Sequence, residues 1–262
     1  MKIDKSFYST LKKAKLKLLE FHYISKTGHI GGNFSSIDTI MTIQHLLMKG
    51  NDKFILSKGH SAGSLYISLW SKGLLSEEEL NSFSKDNSIL AGHPSGKKVP
   101  GLLFSTGSLG HGPSISAGLA LAEKFKKSKS RIFCLCSDGE WQEGSCWEFL
   151  IFASHHKLDN LIIYIDQNNL QGFGKTQDIV SFSNIESRIK SFNVNVQRVN
   201  GHSPEQIVEA SNNIIKNKLN VIILDTIKGN NLHFANLLES HYLPINEEQY
   251  KEAKKNIEDL DF

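Results

Sequence analysis

Apolar residues recur along this chain with two different periods, and the alternation between them divides it into helices and strands. Over residues 6–25 the apolar positions Phe7, Leu11, Ala14, Leu18 and Phe21 step by three and four, which gathers them on one face of a helix. Ser35 or Ser36 can cap a second helix running to about Met48. Phe54-Ile55-Leu56-Ser57 predicts a short strand, and Lys58-Gly59-His60-Ser61 opens a helix to about Lys72. Ser76 with Glu79 three residues later is a capping box for a short helix. Residues 91–112 carry no period and predict a loop; a helix follows over about 114–126, its Ala117, Gly118 and Ala120 suited to close packing. Residues 193–199 and 220–226 predict two more strands. Between them Ser203-Pro204-Glu205 starts a helix with proline at its first position. Residues 171–190 predict a polar loop with one short helix. From about residue 228 the pattern is irregular until an amphipathic helix over 246–258.

The strongest signal runs from Arg131 to Thr176. Two apolar runs, Ile132-Phe133-Cys134-Leu135-Cys136 and Leu161-Ile162-Ile163-Tyr164-Ile165, are rich in branched and aromatic residues, as buried strands of a parallel sheet are. Residues 144–157 between them predict a helix. Strand, helix and strand form a right-handed crossover, which brings the carboxyl ends of both strands to the same edge of the sheet. Open α/β sheets bind their ligands at that edge. Asp138 follows the first run and Asn168 the second, so a carboxylate, an amide and a backbone carbonyl offer hard oxygen ligands of the kind Mg²⁺ takes together with phosphate and water. The expected fold is α/β, a mostly parallel sheet with helices on both faces, in one domain over residues 1–262 with an irregular tail from about 228.

With 262 residues the chain can bury a sizeable core. Its net charge of +3 is by itself too small to argue for nucleic acid, which needs a clustered basic face, and nucleic acid is not an expected partner. Lysines do cluster, at positions 12, 13, 15 and 17 and at 124, 126, 127 and 129, and these read as a solvated helix face and a loop. Cys134 and Cys136, two apart in a strand, point to the same face; with Cys146 they read as reduced core residues of a cytoplasmic protein. No apolar run reaches membrane-spanning length, and the N-terminus has no secretory signal pattern.

Eleven histidines are many for this length. His29, His60 and His93 each follow a glycine where a predicted element opens or closes, and His111 and His241 join them. Imidazoles suit proton transfer near neutral pH and hydrogen bonding to sugar hydroxyls and phosphates.

Taken together these segments resemble the N-terminal half of a transketolase, over nearly the whole length. The residues that carry the resemblance are Thr27-Gly28-His29-Ile30-Gly31-Gly32, Leu56-Ser57-Lys58-Gly59-His60, Ala91-Gly92-His93-Pro94, Thr106-Gly107-Ser108-Leu109-Gly110-His111-Gly112, Ser137-Asp138-Gly139-Glu140 with Glu143-Gly144, Leu158-Asp159-Asn160-Leu161-Ile162, and Asn168. Asp138-Gly139, 28 further residues and Asn168-Asn169 resemble the thiamine diphosphate motif, with Ser137 in place of its first glycine. Ile30 stands where long transketolases have proline and His111 where they have glutamine; both look like the form split into two chains. Gly172 and Phe173 stand where the family often has a bulky apolar residue and aspartate.

The resemblance implies roles. Asp138, Asn168 and the carbonyl of Leu170 would hold Mg²⁺, with Ca²⁺ or Mn²⁺ as substitutes. His60, Gly107, Leu109, Gly139, Asn168 and His241 would contact thiamine diphosphate. His29 and His93 would face the donor and acceptor sugars, and Glu143 would join an acidic network at a subunit interface. The implied activity is transfer of a two-carbon ketol unit from a ketose to an aldose, with sugar phosphates as substrates. In this family a glutamate of a second domain activates the cofactor. Because the chain ends at Phe262, the expected partner is a separate pyrimidine-binding, C-terminal transketolase subunit in an α₂β₂ assembly, with residues 106–118 and 139–146 at contacts between chains. Two other readings stay open on the residues: the α subunit of a 2-oxoacid dehydrogenase, and a non-catalytic cofactor-binding partner.

Overall fold

The computed structural model of the chain describes residues 3–96, 98–181 and 184–261. Phe262, where the expected domain ends, lies outside them. The strands are β1 (Lys53–Leu56), β2 (Ile132–Ser137), β3 (Leu161–Gln167), β4 (Leu170–Gln171), β5 (Gly174–Lys175), β6 (Asn195–Asn200) and β7 (Asn220–Asp225). The helices are α1 (Lys5–Ser25), α2 (Ile30–Thr42), α3 (Ala62–Ser71), α4 (Glu77–Asn81), α5 (His111–Phe125), α6 (Gly144–His155), α7 (Thr176–Ile179), α8 (Ile185–Lys190), α9 (Pro204–Asn212), α10 (Glu239–Tyr242) and α11 (Glu247–Glu258).

Five strands form one parallel sheet in the order β1-β2-β3-β7-β6. The alternation of side chains sorts its residues into two cores. Phe133, Leu135, Ile162, Tyr164, Ile222 and Leu224 face α1, α2, α3, α9 and α11. Ile132, Cys134, Cys136, Leu161, Ile163, Ile165, Val221 and Ile223 face α5, α6 and α8. Burial on both faces explains why these strands read as continuous apolar runs. Cys134 and Cys136 share a face as expected, free and buried, with their sulfurs 3.8 Å apart. The register sets Ser137 beside Asp166 and Gln167 beside Asp225, so Asp138, Asn168 and Thr226 leave the sheet side by side. Local signals hold where they are self-contained. The Ser76–Glu79 capping box is formed in both directions, and Ser203 caps α9 with Pro204 at its first position.

Three expectations are corrected. The second helix starts at Ile30, not at Ser35 or Ser36, and takes in Gly31 and Gly32. Long-range bonds outweigh the poor helix propensity of glycine there. His29 N donates to His241 O and Gly31 O accepts from Gly229 N, both at 2.9 Å; Gly32 O accepts from Ser61 Oγ at 2.8 Å. Residues 171–190 are not a loop with one helix. They hold the outer strand of the antiparallel β4–β5 hairpin and two short helices, α7 and α8, with residues 182 and 183 outside the described set. Lys15, expected on a solvated face, is buried on the inward stripe of α1 and paired with Asp38 of α2. Among the described residues no helix is long and apolar enough to cross a membrane.

Candidate active site

At the carboxyl ends of β2 and β3 a set of oxygens converges. Asp138 and Asn168 are each about nine-tenths buried. Asp138 Oδ2 accepts from Asn169 N at 2.7 Å and from Thr176 Oγ1 at 3.0 Å, and Oδ1 accepts from Gly139 N at 2.8 Å. Asn168 Oδ1 accepts from Leu170 N at 3.1 Å, which turns the chain into β4. Burial and the nearby Asp166 carboxylate push the Asp138 carboxyl up to about 6. Three donors are thus too few to balance the charge of this carboxylate, so its surroundings favour a cation.

Beneath it lies a fully buried ion pair between Lys58, just after β1, and Asp166 of β3. Ser35 Oγ donates to Asp166 Oδ2 at 2.6 Å, and Thr226 Oγ1 donates to Oδ1. Burial pushes the Asp166 carboxyl up, but Lys58 and the hydroxyls of Ser35 and Thr226 outweigh it and hold it below the ordinary carboxylate range. Removing one partner of such a pair typically costs about 3–5 kcal/mol, because the other charge stays buried. A second buried lysine, Lys228, follows β7. Its Nζ donates to Leu170 O and to His241 Nδ1, each at 3.1 Å. Burial and the Lys58 ammonium push Lys228 down to about 8. The Asp138 and Asp166 carboxylates act the other way on Lys228 but do not outweigh burial and Lys58.

Four of the expected histidines form a connected group above these charges. The His29 ring centroid lies 5.8 Å from His60, 5.6 Å from His93 and 4.9 Å from His241, and His60 lies 5.8 Å from His241. His29 caps α2 in the left-handed conformation, φ 65°, with its Nδ1 buried and without a partner. His93 is exposed at the rim. His111 stands apart: it is exposed at the start of α5, with Nδ1 3.2 Å from Leu109 O. Burial, then neighbouring cations, holds His29 down to about 4 and His241 down to about 3. Burial and Lys58 hold His60 well below its ordinary value, and burial lowers His93. All four are thus biased towards the neutral form. They form no metal centre: among the described residues no group of three or more His, Cys, Asp or Glu side chains could hold an ion.

These shifts predict a pH dependence. An imidazole whose folded value lies below its unfolded value of about 6.5 leaves the unfolded state holding more protons, so stability is lost as the pH falls from there towards the folded value. His22, fully buried and held down to about 4 by burial, acts the same way. Asp138, raised to about 6, and Glu140, whose carboxyl burial also raises, act in the opposite sense, but they are outnumbered by the depressed imidazoles. The melting temperature should therefore drop between pH 7 and pH 4.5; a flat or rising profile would contradict this burial pattern.

The remaining expected residues form the wall nearest α5. Gly107 has φ 133°, and a Cβ there would lie 2.7 Å from His93 Cδ2, so a side chain would push His93 away. Leu109 is half-buried in the same turn. Glu143 is exposed at the start of α6 and packs beside Gly110, not in the histidine group. Gly139 lies against the Gln171 side chain. The sequence pattern assigns no role to Glu140, yet its carboxylate is fully buried and ties three loops: it accepts from Ser57 Oγ, from Gly110 N at 2.9 Å and from Ser137 N at 3.2 Å. Lys58, Asp166 and Lys228 also escape it. Each is a charged residue at or just past the end of a buried strand, and that position is the available signal. The departure at Gly172 has a local cause: a Cβ there would overlap the Tyr242 hydroxyl, so glycine lets the segment carrying His241 close over the hairpin.

A family model described as transketolase, thiamine diphosphate binding domain, matches residues 34–258. The chain is 34% identical over 257 residues to one subunit of the apulose-4-phosphate transketolase of Phocaeicola vulgatus, with 94% of this chain and 91% of that one covered. It is 33% identical over 243 residues to the 6-deoxy-6-sulfo-D-fructose transketolase subunit SqwG of a Clostridium species, with 88% of each covered. The solved transketolase of Campylobacter jejuni superposes with a TM-score of 0.85 at 27% identity over 98% of this chain, which spans only 43% of that protein. With its parallel sheet and the charged edge between β2 and β7, the chain belongs to the transketolase family and carries that family's thiamine diphosphate binding domain.

Proposed function

We propose that this chain, one domain over residues 1–262, is the diphosphate-binding subunit of a transketolase divided between two polypeptides. It would move a two-carbon ketol unit from a ketose to an aldose. The observation that carries the reading is one juxtaposition: Asp138, Asn168 and the Leu170 carbonyl on one side, Lys228 and four imidazoles on the other. Two relatives bear the word subunit in their names and match over most of their length, which supports the divided form.

The residues fit a metal and a diphosphate. Asp138 favours an added cation and Lys228 an added anion. Asp138, Asn168 and Leu170 O would hold Mg²⁺, with Ca²⁺ or Mn²⁺ as substitutes. His60, Gly107, Leu109, Gly139, His241 and Lys228 would line the thiamine diphosphate. When bound, the cofactor supplies the electron sink for cleaving the bond beside the ketose carbonyl. The protein's part is to bind, orient and move protons. The neutral imidazoles of His29 and His93 would bond sugar hydroxyls and relay their protons, His29 through its unpartnered Nδ1. Glu143, exposed beside Gly110, would meet the partner chain. Those two relatives are named for apulose-4-phosphate and 6-deoxy-6-sulfo-D-fructose. A ketose bearing a terminal anion is the substrate class we infer for this chain.

His29→Ala and His93→Ala should lower ketol transfer by roughly 10²- to 10⁴-fold at saturating cofactor, the usual loss with a proton-transferring group. His60→Ala should instead weaken cofactor binding. If all three raise the cofactor Kd alike and leave turnover unchanged, the division of roles is wrong. Assaying the assembled enzyme for ketol transfer against oxidative decarboxylation of 2-oxoacids tests the reaction class. Cofactor binding with no turnover in either assay would favour a non-catalytic partner.

A further inference from the structure

Outside the site, a buried charged network connects to the segment that carries Lys228. Asp38 of α2 is 1% exposed, and its two oxygens have separate partners. Oδ1 lies 2.7 Å from Lys15 Nζ of α1, and Oδ2 lies 2.8 Å from His202 Nδ1 of the β6–α9 turn. Each partner reaches onward. Lys15 Nζ donates to Asn231 Oδ1 at 2.8 Å. His202 Nε2 accepts from Ile227 N at 2.9 Å. Because Ile227 N–H can only donate, Nε2 is unprotonated there, so the ring proton sits on Nδ1 and points at Asp38. One carboxylate thus grips the chain on both sides of Lys228, at Ile227 directly before it and at Asn231 three residues after it.

Other bonds hold this segment as well: Thr226 Oγ1 to Asp166, Thr226 N to Gln167 O at 3.4 Å, Gly229 N to Gly31 O, and Asn236 N to Lys228 O at 2.7 Å. They fix its ends relative to α2 and β3. None of them touches Ile227, whose carbonyl accepts from Asn230 N within the segment and whose N–H is held by His202. Thr39 Oγ1 donates to Gly201 O at 3.2 Å, so α2 anchors the turn bearing His202 as well.

We infer that Asp38, acting through His202 and Lys15, is a positioning residue that sets the Lys228 ammonium against Leu170 O and His241. The inference rests on the proposed cofactor site only in its binding readout; the geometric readout is independent of it. With Ile227 released, the segment gains freedom and Lys228 loses its aim, while Lys58 and Asp166 stay paired.

The test uses the chain assembled with its partner subunit. His202→Asn keeps an N–H donor for Asp38 and removes the acceptor for Ile227. Titrating thiamine diphosphate with Mg²⁺ should show its affinity falling about tenfold in the otherwise wild-type chain. In a Lys228→Met background the same change should cost less than about twofold, because the group it positions is gone. Equal losses in both backgrounds would overturn the inference. A crystal structure of His202→Asn without ligand gives the second readout. Displacement of residues 227–231 with loss of the Lys228–Leu170 bond supports the inference; an unmoved Lys228 overturns it. If Lys228→Met alone leaves affinity unchanged, the assignment of Lys228 to the cofactor fails, and the crystal structure alone decides the positioning role. Asp38→Asn, which removes the carboxylate paired with buried Lys15, is expected to lower the melting temperature as well, so His202→Asn is the cleaner variant.

Discussion

Assayed alone, the chain should be inactive, with any ketol transfer at least about 100-fold below that of the chain assembled with a pyrimidine-binding subunit. The reason lies in what the site lacks. Its charged floor comes from the ends of β1, β2, β3 and β7, and its histidines from the start of α2, the β1–α3 turn, the loop after residue 91 and α10. All of them stand on one edge of one sheet, and the opposite side is open. His93 at the site is exposed, as are Ser108, His111, Ser114, Glu143 and Gly144 of the segments expected at chain contacts. Near the site Phe173 is 86% exposed, with Leu237, Leu238, Tyr242 and Leu243 also uncovered, an apolar surface of the kind that marks contact with another chain. The resemblance to transketolases assigns the activating glutamate to a second domain. Robust transfer by this polypeptide, with no second subunit found by mass spectrometry, would refute the divided enzyme and the α₂β₂ assembly together.

Asp138→Ala should weaken thiamine diphosphate binding by at least about 100-fold in the presence of Mg²⁺, because the cation loses its only charged protein ligand. The geometry also predicts a structural share in that loss. Asp138 accepts from Gly139 N, Asn169 N and Thr176 Oγ1, so alanine frees the turns on both sides. Asp138→Asn separates the two effects. It retains an oxygen acceptor for part of the backbone but carries no charge, and it should still lose most of the affinity. Calorimetry on both variants decides the matter: an asparagine variant that binds cofactor and metal as wild type does would show that the carboxylate serves the fold and not a cation.

Much of this architecture was legible because the informative residues are local. The apolar runs of β2 and β3 announced a two-sided sheet, and the crossover between them fixed the edge at which Asp138 and Asn168 emerge. Ser76 with Glu79, and Ser203 with Pro204, marked helix starts through bonds spanning three residues. What escaped the sequence depends on distant partners. The glycines at 31 and 32 read as a loop because nothing nearby shows that Ser61 and Gly229 will hold them in a helix. Lys15 read as a surface charge because Asp38 is one helix away. Lys228 sat in a stretch without periodicity, and only the sheet order reveals that β7 lies next to β3 and delivers this lysine to Leu170. The histidines were noticed by number and by their glycine neighbours. Their mutual contacts come from four separate segments that no spacing rule connects.

Anomalous scattering from a crystal of the two-subunit complex grown with thiamine diphosphate and Mn²⁺ tests the central claim most directly. The account predicts one Mn²⁺ peak at about 2.2 Å from oxygens of Asp138, Asn168 and the Leu170 carbonyl, with the diphosphate between that peak and Lys228. A peak away from the ends of β2 and β3, or a diphosphate bound there with no cation beside it, would contradict it.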